Sequence, residues 1–102
     1  MERELEKDPR VKQLFEVIMH LEDSGECARF FRDLCTFTEL RAMAERWQVA
    51  QMVSEDIPYR EISERTGAST ATITRIAHWL KYGEGGYRFM LERVGEKDEV
   101  RR

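Results

Sequence analysis

Residues 58–81 read PYREISERTGASTATITRIAHWLK, and the first part of this stretch predicts a short helix followed by a tight turn. The helix would run over about residues 59–65, with Ile62 directed inward and the small Ser63 where two helix backbones can approach closely. Gly67 comes directly after it. Because glycine lacks a Cβ atom, Gly67 can adopt the left-handed conformation in which many helices end.

A second helix is predicted after this turn. Ser69 is of the residue type that caps helix N-termini, and apolar side chains then recur at helical spacing. These inward-facing residues are Ile73, Ile76 and Leu80. A short helix, a glycine turn and a capped second helix together form the pattern of a helix-turn-helix, which we place at residues 58–82.

The outer face of the second helix is suited to the major groove of DNA, about 12 Å wide, because its side chains are small or polar. The predicted base contacts are Thr70, Ala71 and Thr74, and the predicted contacts to phosphates or adjacent bases are Tyr59, Arg60, Arg75 and Lys81. The hydroxyls of Ser69 and Thr72 and the amides at the helix start can also bind phosphate oxygens. Since serine and threonine at a helix start often act only as caps, a plain helical hairpin is the alternative interpretation.

The charge distribution permits DNA binding without requiring it. The net charge is −3, but residues 1–40 carry −4 while residues 57–82, with four basic and two acidic side chains, carry +2. Binding to phosphates depends on local positive charge, so the basic segment can contact DNA although the chain as a whole is acidic. The modest value of +2 also leaves a rival function open, a helical dimeric protein-interaction module that has lost DNA reading.

Length and composition favour one domain over residues 1–102. The chain is 41% hydrophobic and 36% charged, too apolar for a disordered chain and too charged for a membrane protein. No apolar run approaches the roughly 20 residues that span a bilayer, and the charged N-terminus does not resemble a signal peptide. We therefore expect a cytoplasmic protein, in which Cys27 and Cys35 are buried packing thiols rather than a disulfide or a zinc site.

Residues 8–54 are predicted to form N-terminal helices that mediate dimerisation. Asp8 and Pro9 mark the first helix start. Its apolar residues are Val11, Leu14, Phe15, Ile18 and Leu21. Ser24 and Gly25 break this helix and are placed to cap the next, whose apolar residues cover an arc too wide for one chain to bury. They are Cys27, Ala28, Phe30, Phe31, Leu34 and Cys35.

A capping box opens the long helix that follows, because Thr36 and Glu39 can each bond the other's backbone N–H. The helix is predicted to continue to about Ser54, and Pro58 disfavours helical geometry in the residue before it. Its expected buried residues are Leu40, Met43, Ala44, Trp47, Ala50 and Val53.

A last helix is predicted over residues 86–95, after a flexible glycine-rich break at residues 82–86. Its apolar residues are Tyr87, Met90, Leu91 and Val94. Beyond it, a charged tail at residues 96–102 is expected to be solvated and frayed.

The stretch from Thr36 to Lys81 resembles the core of the Trp repressor family, in particular its small YerC/YecD-type branch. The match covers the capping threonine, Arg46 inside the long helix, and the run ATITR at residues 71–75. The resemblance implies an all-α, six-helix fold with a helix-turn-helix, in which the N-terminal helices interlock with a second subunit as an intertwined homodimer. The function we expect is a sequence-specific transcriptional regulator, a repressor that places two recognition helices in successive major grooves of double-stranded DNA.

The resemblance also implies a ligand pocket, in which free tryptophan lies between two arginines. Arg46 and Arg75 match those arginines, and Thr36 matches a threonine at the pocket. Ile76 and Trp79 stand where the family has a glycine and a serine that bonds the ligand's amino group. Because an indole cannot accept that bond and is bulky, we expect Trp79, with Ile76, to fill the pocket from within. Tryptophan is then not expected as a co-repressor, while another small-molecule effector stays open.

No catalytic, metal or cofactor site is predicted. The carboxylates show no paired acid–base arrangement, and the sequence has neither a phosphate-binding glycine loop nor a nucleophile elbow. His20 is placed to cap the end of the first helix, and His78 to pack or to face phosphate. Neither has a second ligand at a metal-binding spacing, so we expect no enzyme, no metal and no cofactor.

Overall fold

The structure is a computed structural model that describes residue 5 and residues 7–101, with side chains as far as residue 95. Its helices are α1 (Pro9–Ile18), α2 (Ser24–Leu34), α3 (Phe37–Ser54), α4 (Tyr59–Thr66), α5 (Thr70–Tyr82) and α6 (Gly86–Arg101). The described residues contain no strand, so the predicted six-helix, all-α fold is confirmed. The chain divides into two compact units, one up to Leu40 and one from Arg41 onward.

Acidic caps fix the helix starts of the first unit. Asp8 caps α1 as predicted, because its carboxylate accepts a 2.9 Å hydrogen bond from the Arg10 backbone N–H. The Arg10 side chain donates to the same carboxylate and holds the pKa of Asp8 below its usual value. The predicted cap of α2 is wrong by one residue. Asp23 accepts the 2.8 Å bond from the Glu26 N–H, and Ser24 is already helical.

The predicted capping box at the start of α3 is confirmed. The Thr36 N–H donates to Glu39 Oε1 at 2.8 Å, and the Glu39 N–H donates to Thr36 Oγ1 at 3.1 Å. The bond from the Thr36 backbone lowers the pKa of Glu39, since it favours the charged carboxylate.

Helices α1 and α2 bury none of their side chains in the single chain. The predicted apolar faces are present, but Phe15 is 58% exposed and Leu34 is exposed as well. Leu21 lies beyond the end of α1. Cys27 is exposed and Cys35 half-buried, so the prediction of two buried thiols is wrong for one chain, because α2 is not fully buried by any side chain that the structure describes.

The hydrophobic core lies in the second unit, where α3, α4 and α5 pack together. Its buried residues are Val49, Ala50, Met52, Ile62, Ala68, Ile73 and Ile76. Of the residues predicted along the buried side of α3, Ala50 is buried, whereas Met43 and Ala44 are exposed. Leu40, Trp47 and Val53 are half-buried. The prediction fails for the first turns of α3 because the buried residues of this helix all belong to its last turns. Two of them, Val49 and Met52, lie on a second apolar stripe, beside the one that was predicted to be buried.

The end of α3 is a Schellman motif. The Ile57 N–H donates to the Met52 carbonyl and the Asp56 N–H to the Val53 carbonyl, both at 3.1 Å. Asp56 occupies the left-handed region at φ 60°. Met52 is buried and Ile57 packs against the same cluster, which is the apolar contact that accompanies this motif. The motif sets the direction in which the chain enters α4.

The last helix is longer than predicted. It begins at Gly86 and continues past residue 95 to Arg101, so the segment expected to fray is helical that far. The side chains of the predicted solvated tail lie outside the described residues. None of the described helices is long and apolar enough to cross a membrane.

Candidate nucleic-acid interface

The turn between α4 and α5 is held by small polar side chains. Gly67 ends α4 at φ 81°, the left-handed conformation predicted for it. Ser63 Oγ donates to the Ala68 carbonyl at 2.7 Å. Thr66 Oγ1 donates to the Ile62 carbonyl at 2.7 Å and accepts from the Ala68 N–H at 3.1 Å. These bonds satisfy the backbone of a part-buried turn and so fix the direction in which α5 leaves it.

The inner face of α5 is anchored in the core. Ile73 and Ile76 are buried as predicted, and Leu80 is half-buried. Ala77, which is not among the predicted inward-facing residues, is buried beside them. Since the inner face cannot rotate without exposing these residues, the outer face of α5 is presented to solvent in one orientation.

The outer face of α5 carries the predicted base-contacting residues in exposed positions. They are Thr70, Ala71 and Thr74, next to the exposed Arg75. Ser69 caps the helix, because its Oγ accepts from the Thr72 N–H at 3.1 Å. The hydroxyls of Ser69 and Thr72 are also bonded to each other at 3.0 Å. Both hydroxyls predicted to bind phosphate therefore already serve the cap.

The basic side chains of α4 are paired with acidic ones. Arg60 lies 3.8 Å from Glu64, and Arg65 lies 3.7 Å from Glu61, each pair one helical turn apart. All four side chains are more than half exposed, so these pairs are weak and a phosphate group can compete for either arginine.

Tyr59, Arg75 and Lys81 complete the predicted phosphate contacts. All three are exposed, Tyr59 at the start of α4 and Lys81 in the last turn of α5. Neither Arg75 nor Lys81 forms an ion pair with a side chain of the described part of the chain. Their charges are therefore available to a polyanion.

A polar cavity of about 360 Å³ lies between α3, α5 and α6. Its lining residues are Arg46, Thr72, Arg75, Ile76, Trp79 and Tyr87. Two guanidinium groups, two hydroxyl-bearing side chains and an indole thus surround one space, and no carboxylate is among the lining residues. The cavity brings together four of the five residues predicted at a ligand pocket. The fifth, Thr36, exchanges two hydrogen bonds with Glu39 in the capping box of α3.

Trp79 does not fill this polar cavity, contrary to expectation. Its side chain is 43% exposed and forms part of the wall. An apolar cavity of about 440 Å³, with Trp47, Phe89 and Met90 in its walls, shares Trp79 and Tyr87 with the polar one. The indole therefore belongs to the walls of both the polar and the apolar cavity and does not fill the polar one.

Thr72 and Tyr87 line the cavity but were not predicted there, since the sequence indicated a phosphate contact for Thr72 and an apolar helix face for Tyr87. Thr72 stands three, four and seven positions before Arg75, Ile76 and Trp79, a spacing that places all four on one helix face, so the signal existed. Tyr87 had no such signal. Its place in the cavity depends on how the turn after α5 directs α6 back along that helix.

The two histidines have different surroundings. His20 Nδ1 lies 3.0 Å from the Glu16 carbonyl near the end of α1, which confirms its capping role. His78 is exposed on α5, with its ring centroid 5.6 Å from that of Trp79 and 5.1 Å from that of Tyr82. Within the described residues, no three His, Cys, Asp or Glu side chains group in a way that could hold a metal ion.

Known proteins are similar to this chain in sequence and in architecture. The uncharacterized protein YerC of Bacillus subtilis (strain 168) is 48% identical over 86 residues, which cover 84% of this chain and 83% of that protein. The Trp operon repressor homolog of Chlamydia caviae is 33% identical over 69 residues, 67% of this chain and 68% of that protein. The crystal structure of a TrpR-like protein from Eubacterium eligens ATCC 27750 matches with a TM-score of 0.84 at 45% identity. The match covers 87% of this chain and 92% of the other.

The family model described as Trp repressor protein matches residues 9–95. This range runs from the start of α1 into α6 and includes the helix-turn-helix and every residue that lines the polar cavity. With a family match over most of its length and relatives that agree with it in sequence and in fold, the chain belongs to the Trp repressor family, whose members are DNA-binding transcriptional regulators.

Proposed function

We propose that this chain is a sequence-specific transcriptional repressor that binds double-stranded DNA as a homodimer. The exposed N-terminal half of α5 carries the proposal, because Thr70, Ala71 and Thr74 face solvent while Ile73 and Ile76 hold the helix in the core. Small side chains let a helix approach base edges closely. At about 1.5 Å of rise per residue, positions 70–75 span roughly two base pairs.

We infer the homodimer from the apolar surface of α1 and α2, which the single chain leaves uncovered. Helices α1 and α2 bury no side chain in the single chain, and Phe15, Met19 and Leu34 are among the exposed large apolar residues. A second copy that covers these faces would bury them and place two copies of α5 about a two-fold axis. Two recognition helices so arranged suit successive major grooves.

Selection of bound genomic fragments by the purified chain, without added ligand, tests this function. We expect an inverted repeat with half-sites about 10 base pairs apart, or a multiple of that distance. Recovery of a single, unrepeated site would contradict the dimeric reader, and recovery of no sequence above background would contradict sequence-specific binding without an effector.

A protein-interaction module is the second candidate function. The pairing of Arg60 with Glu64 and of Arg65 with Glu61 favours it, because it reduces the positive field of α4. The salt dependence of binding distinguishes the two functions. Binding to phosphates weakens steeply with ionic strength, whereas an apolar protein contact does not.

We also propose that the polar cavity can admit a small organic anion as an effector. Arg46 and Arg75 offer positive charge, and the indole of Trp79 offers a flat apolar wall. L-tryptophan is a poor candidate. In the wall of the cavity, Trp79 stands where the family has a serine that bonds the ligand's amino group, and an indole cannot accept that bond. Titration calorimetry on the native chain is expected to show no micromolar binding of L-tryptophan, and such binding would exclude this account of the cavity.

A further inference from the structure

The C-terminal end of α5 is closed by a side chain from the next helix. The Gly83 N–H donates to the Trp79 carbonyl at 2.8 Å, which satisfies one of the last carbonyls of α5. The next two, those of Leu80 and Lys81, accept hydrogen bonds from Arg88 Nη2, both at 3.1 Å. One guanidinium therefore ties the last turn of α5 to the first turns of α6.

The position of Arg88 is explained by α5 and not by its own helix. Arg88 stands near the N-terminus of α6, where the helix dipole disfavours a cation, but its charge lies at the C-terminus of α5, where the dipole favours one. Arg88 forms no ion pair with the described side chains. Its charge is thus directed at the carbonyls of α5, in charge-assisted bonds that are stronger than those between neutral groups.

The orientation of α5 is sensitive to hydrogen bonds at its C-terminal end, such as those from Arg88. With 13 residues, α5 is about 20 Å long, so a tilt of roughly 10° about one end moves the other by about 3 Å. A tilt about the N-terminal end changes the angle at which Thr70, Ala71 and Thr74 meet the base edges, and a hydrogen bond weakens as its angle departs from linearity. The N-terminal end of α5 is fixed by the turn at Gly67 and the Ser69 cap, and Arg88 fixes the opposite end.

We propose that Arg88 is a positioning residue for DNA recognition, which holds the recognition helix α5 at the angle that specific base contacts require. The inference rests on the proposed DNA-binding function and adds to it a residue outside the helix-turn-helix. Arg88 acts through the Leu80 and Lys81 carbonyls and not through DNA.

The test compares three variants of the full chain with the native protein. Arg88→Met removes the donor and the charge and keeps an unbranched side chain like the aliphatic part of arginine, and Arg88→Lys keeps a cationic donor on a flexible side chain without the planar guanidinium. Arg93→Met is the matched control. It makes the same charge change on the same helix, where the guanidinium stacks on the Phe89 ring at 4.7 Å and bonds no carbonyl of α5. Affinity is measured for a selected operator and for an unrelated duplex over a range of salt concentrations, and hydrogen exchange is measured over residues 80–83 without DNA.

Arg88→Met is expected to lower operator affinity about tenfold and affinity for the unrelated duplex less than about twofold, with an unchanged salt slope. Hydrogen exchange over residues 80–83 should accelerate about tenfold. Arg88→Lys should recover part of the operator affinity and part of the protection from exchange, and Arg93→Met should change neither property.

An equal loss of affinity for both duplexes, with a salt slope reduced by about one, would instead make Arg88 a phosphate contact. Native affinity and native exchange in Arg88→Met would overturn the positioning role alone. A native chain that binds neither duplex would overturn the proposed function, and this role with it.

Discussion

At the scale of single residues, Lys81 and Thr74 represent the two kinds of DNA contact proposed for α5. Lys81 is exposed in the last turn without an ion pair among the described side chains, and Thr74 is exposed on the outer face of the helix. Lys81→Ala is expected to weaken binding to every sequence and to reduce the salt slope by about one, because one phosphate contact is lost. Thr74→Ala should instead change the preferred sequence and leave the slope as it is.

Fragment selection and salt titration on both variants check these outcomes. A uniform loss of affinity from both substitutions, with the same change of slope, would show that the two roles are assigned wrongly. Arg93→Ala, an exposed cation on α6 outside the proposed interface, serves as the control for a general effect of charge.

Glu39 should make the stability of the chain depend on pH. Its pKa lies below the ordinary value of 4.5, because the charged carboxylate accepts the Thr36 N–H. A lowered folded pKa means that this contribution to stability is complete above about pH 4.5 and is lost as the pH falls through the folded pKa. Glu39→Gln keeps an acceptor for the same N–H but does not titrate. Below about pH 4.5, thermal unfolding is expected to show a shallower loss of stability with falling pH for Glu39→Gln than for the native chain. Equal losses of stability in the two proteins would show that Glu39 does not cause this pH dependence.

Residues whose partners stand three positions away could be predicted from sequence. Thr36, Glu39 and Ser69 form the hydrogen bonds that their spacing indicates, because a cap depends only on the local chain. Asp56 and Arg88 could not be predicted in this way. The left-handed conformation of Asp56 depends on the turn that carries Ile57 into the core, and the bonds of Arg88 depend on where α6 returns.

At the scale of elements, the junction between α5 and α6 depends on a close approach at Gly83. A Cβ atom there would collide with the carbonyl oxygen of Trp79, a backbone atom that cannot rotate away. Gly83→Ala is expected to lower the free energy of unfolding by about 1–3 kcal/mol and to weaken DNA binding, because the end of α5 must shift.

Gly86→Ala is the matched control for this junction. A Cβ at Gly86 would meet nothing within 4 Å, and alanine is favoured over glycine in a helix, so we expect no loss of stability. Urea unfolding of both variants at one protein concentration provides the measurement. Similar losses in the two variants would mean that the flexibility of the glycine-rich turn matters and the close approach does not.

The buried side of α3 shows what an apolar pattern can and cannot predict. The sequence contains two apolar stripes, and the prediction of the buried side rested on the one through Met43, Trp47 and Ala50. In the second unit, α4 and α5 pack on Val49 and Met52 as well as on Ala50. Periodicity shows that a helix has an apolar face, but the choice between two faces depends on the turn at Asp56 and on the elements that follow.

At the scale of the whole molecule, the lack of buried side chains in α1 and α2 predicts self-association. Sedimentation equilibrium is expected to give twice the 12.1 kDa of one chain, and the thermal midpoint should rise with protein concentration. Phe15→Arg should shift the protein toward the mass of one chain, because it places a charge on the exposed apolar face of α1.

Gln13→Arg adds the same charge at an exposed polar position of the same helix and should leave the mass unchanged. A native protein with the mass of one chain at micromolar concentration would contradict the dimer. Equal dissociation by both variants would show an effect of charge alone, without a specific role for the apolar face.

The position of Trp79 in the wall of both cavities gives the molecule an intrinsic optical reporter. The chain has two tryptophans, so Trp47→Phe would leave the Trp79 indole as the sole strong fluorophore. Indole emission shifts to shorter wavelength when water leaves its surroundings. Association that covers the apolar cavity and a ligand that enters the polar one would thus be recorded by the same side chain, without any added label.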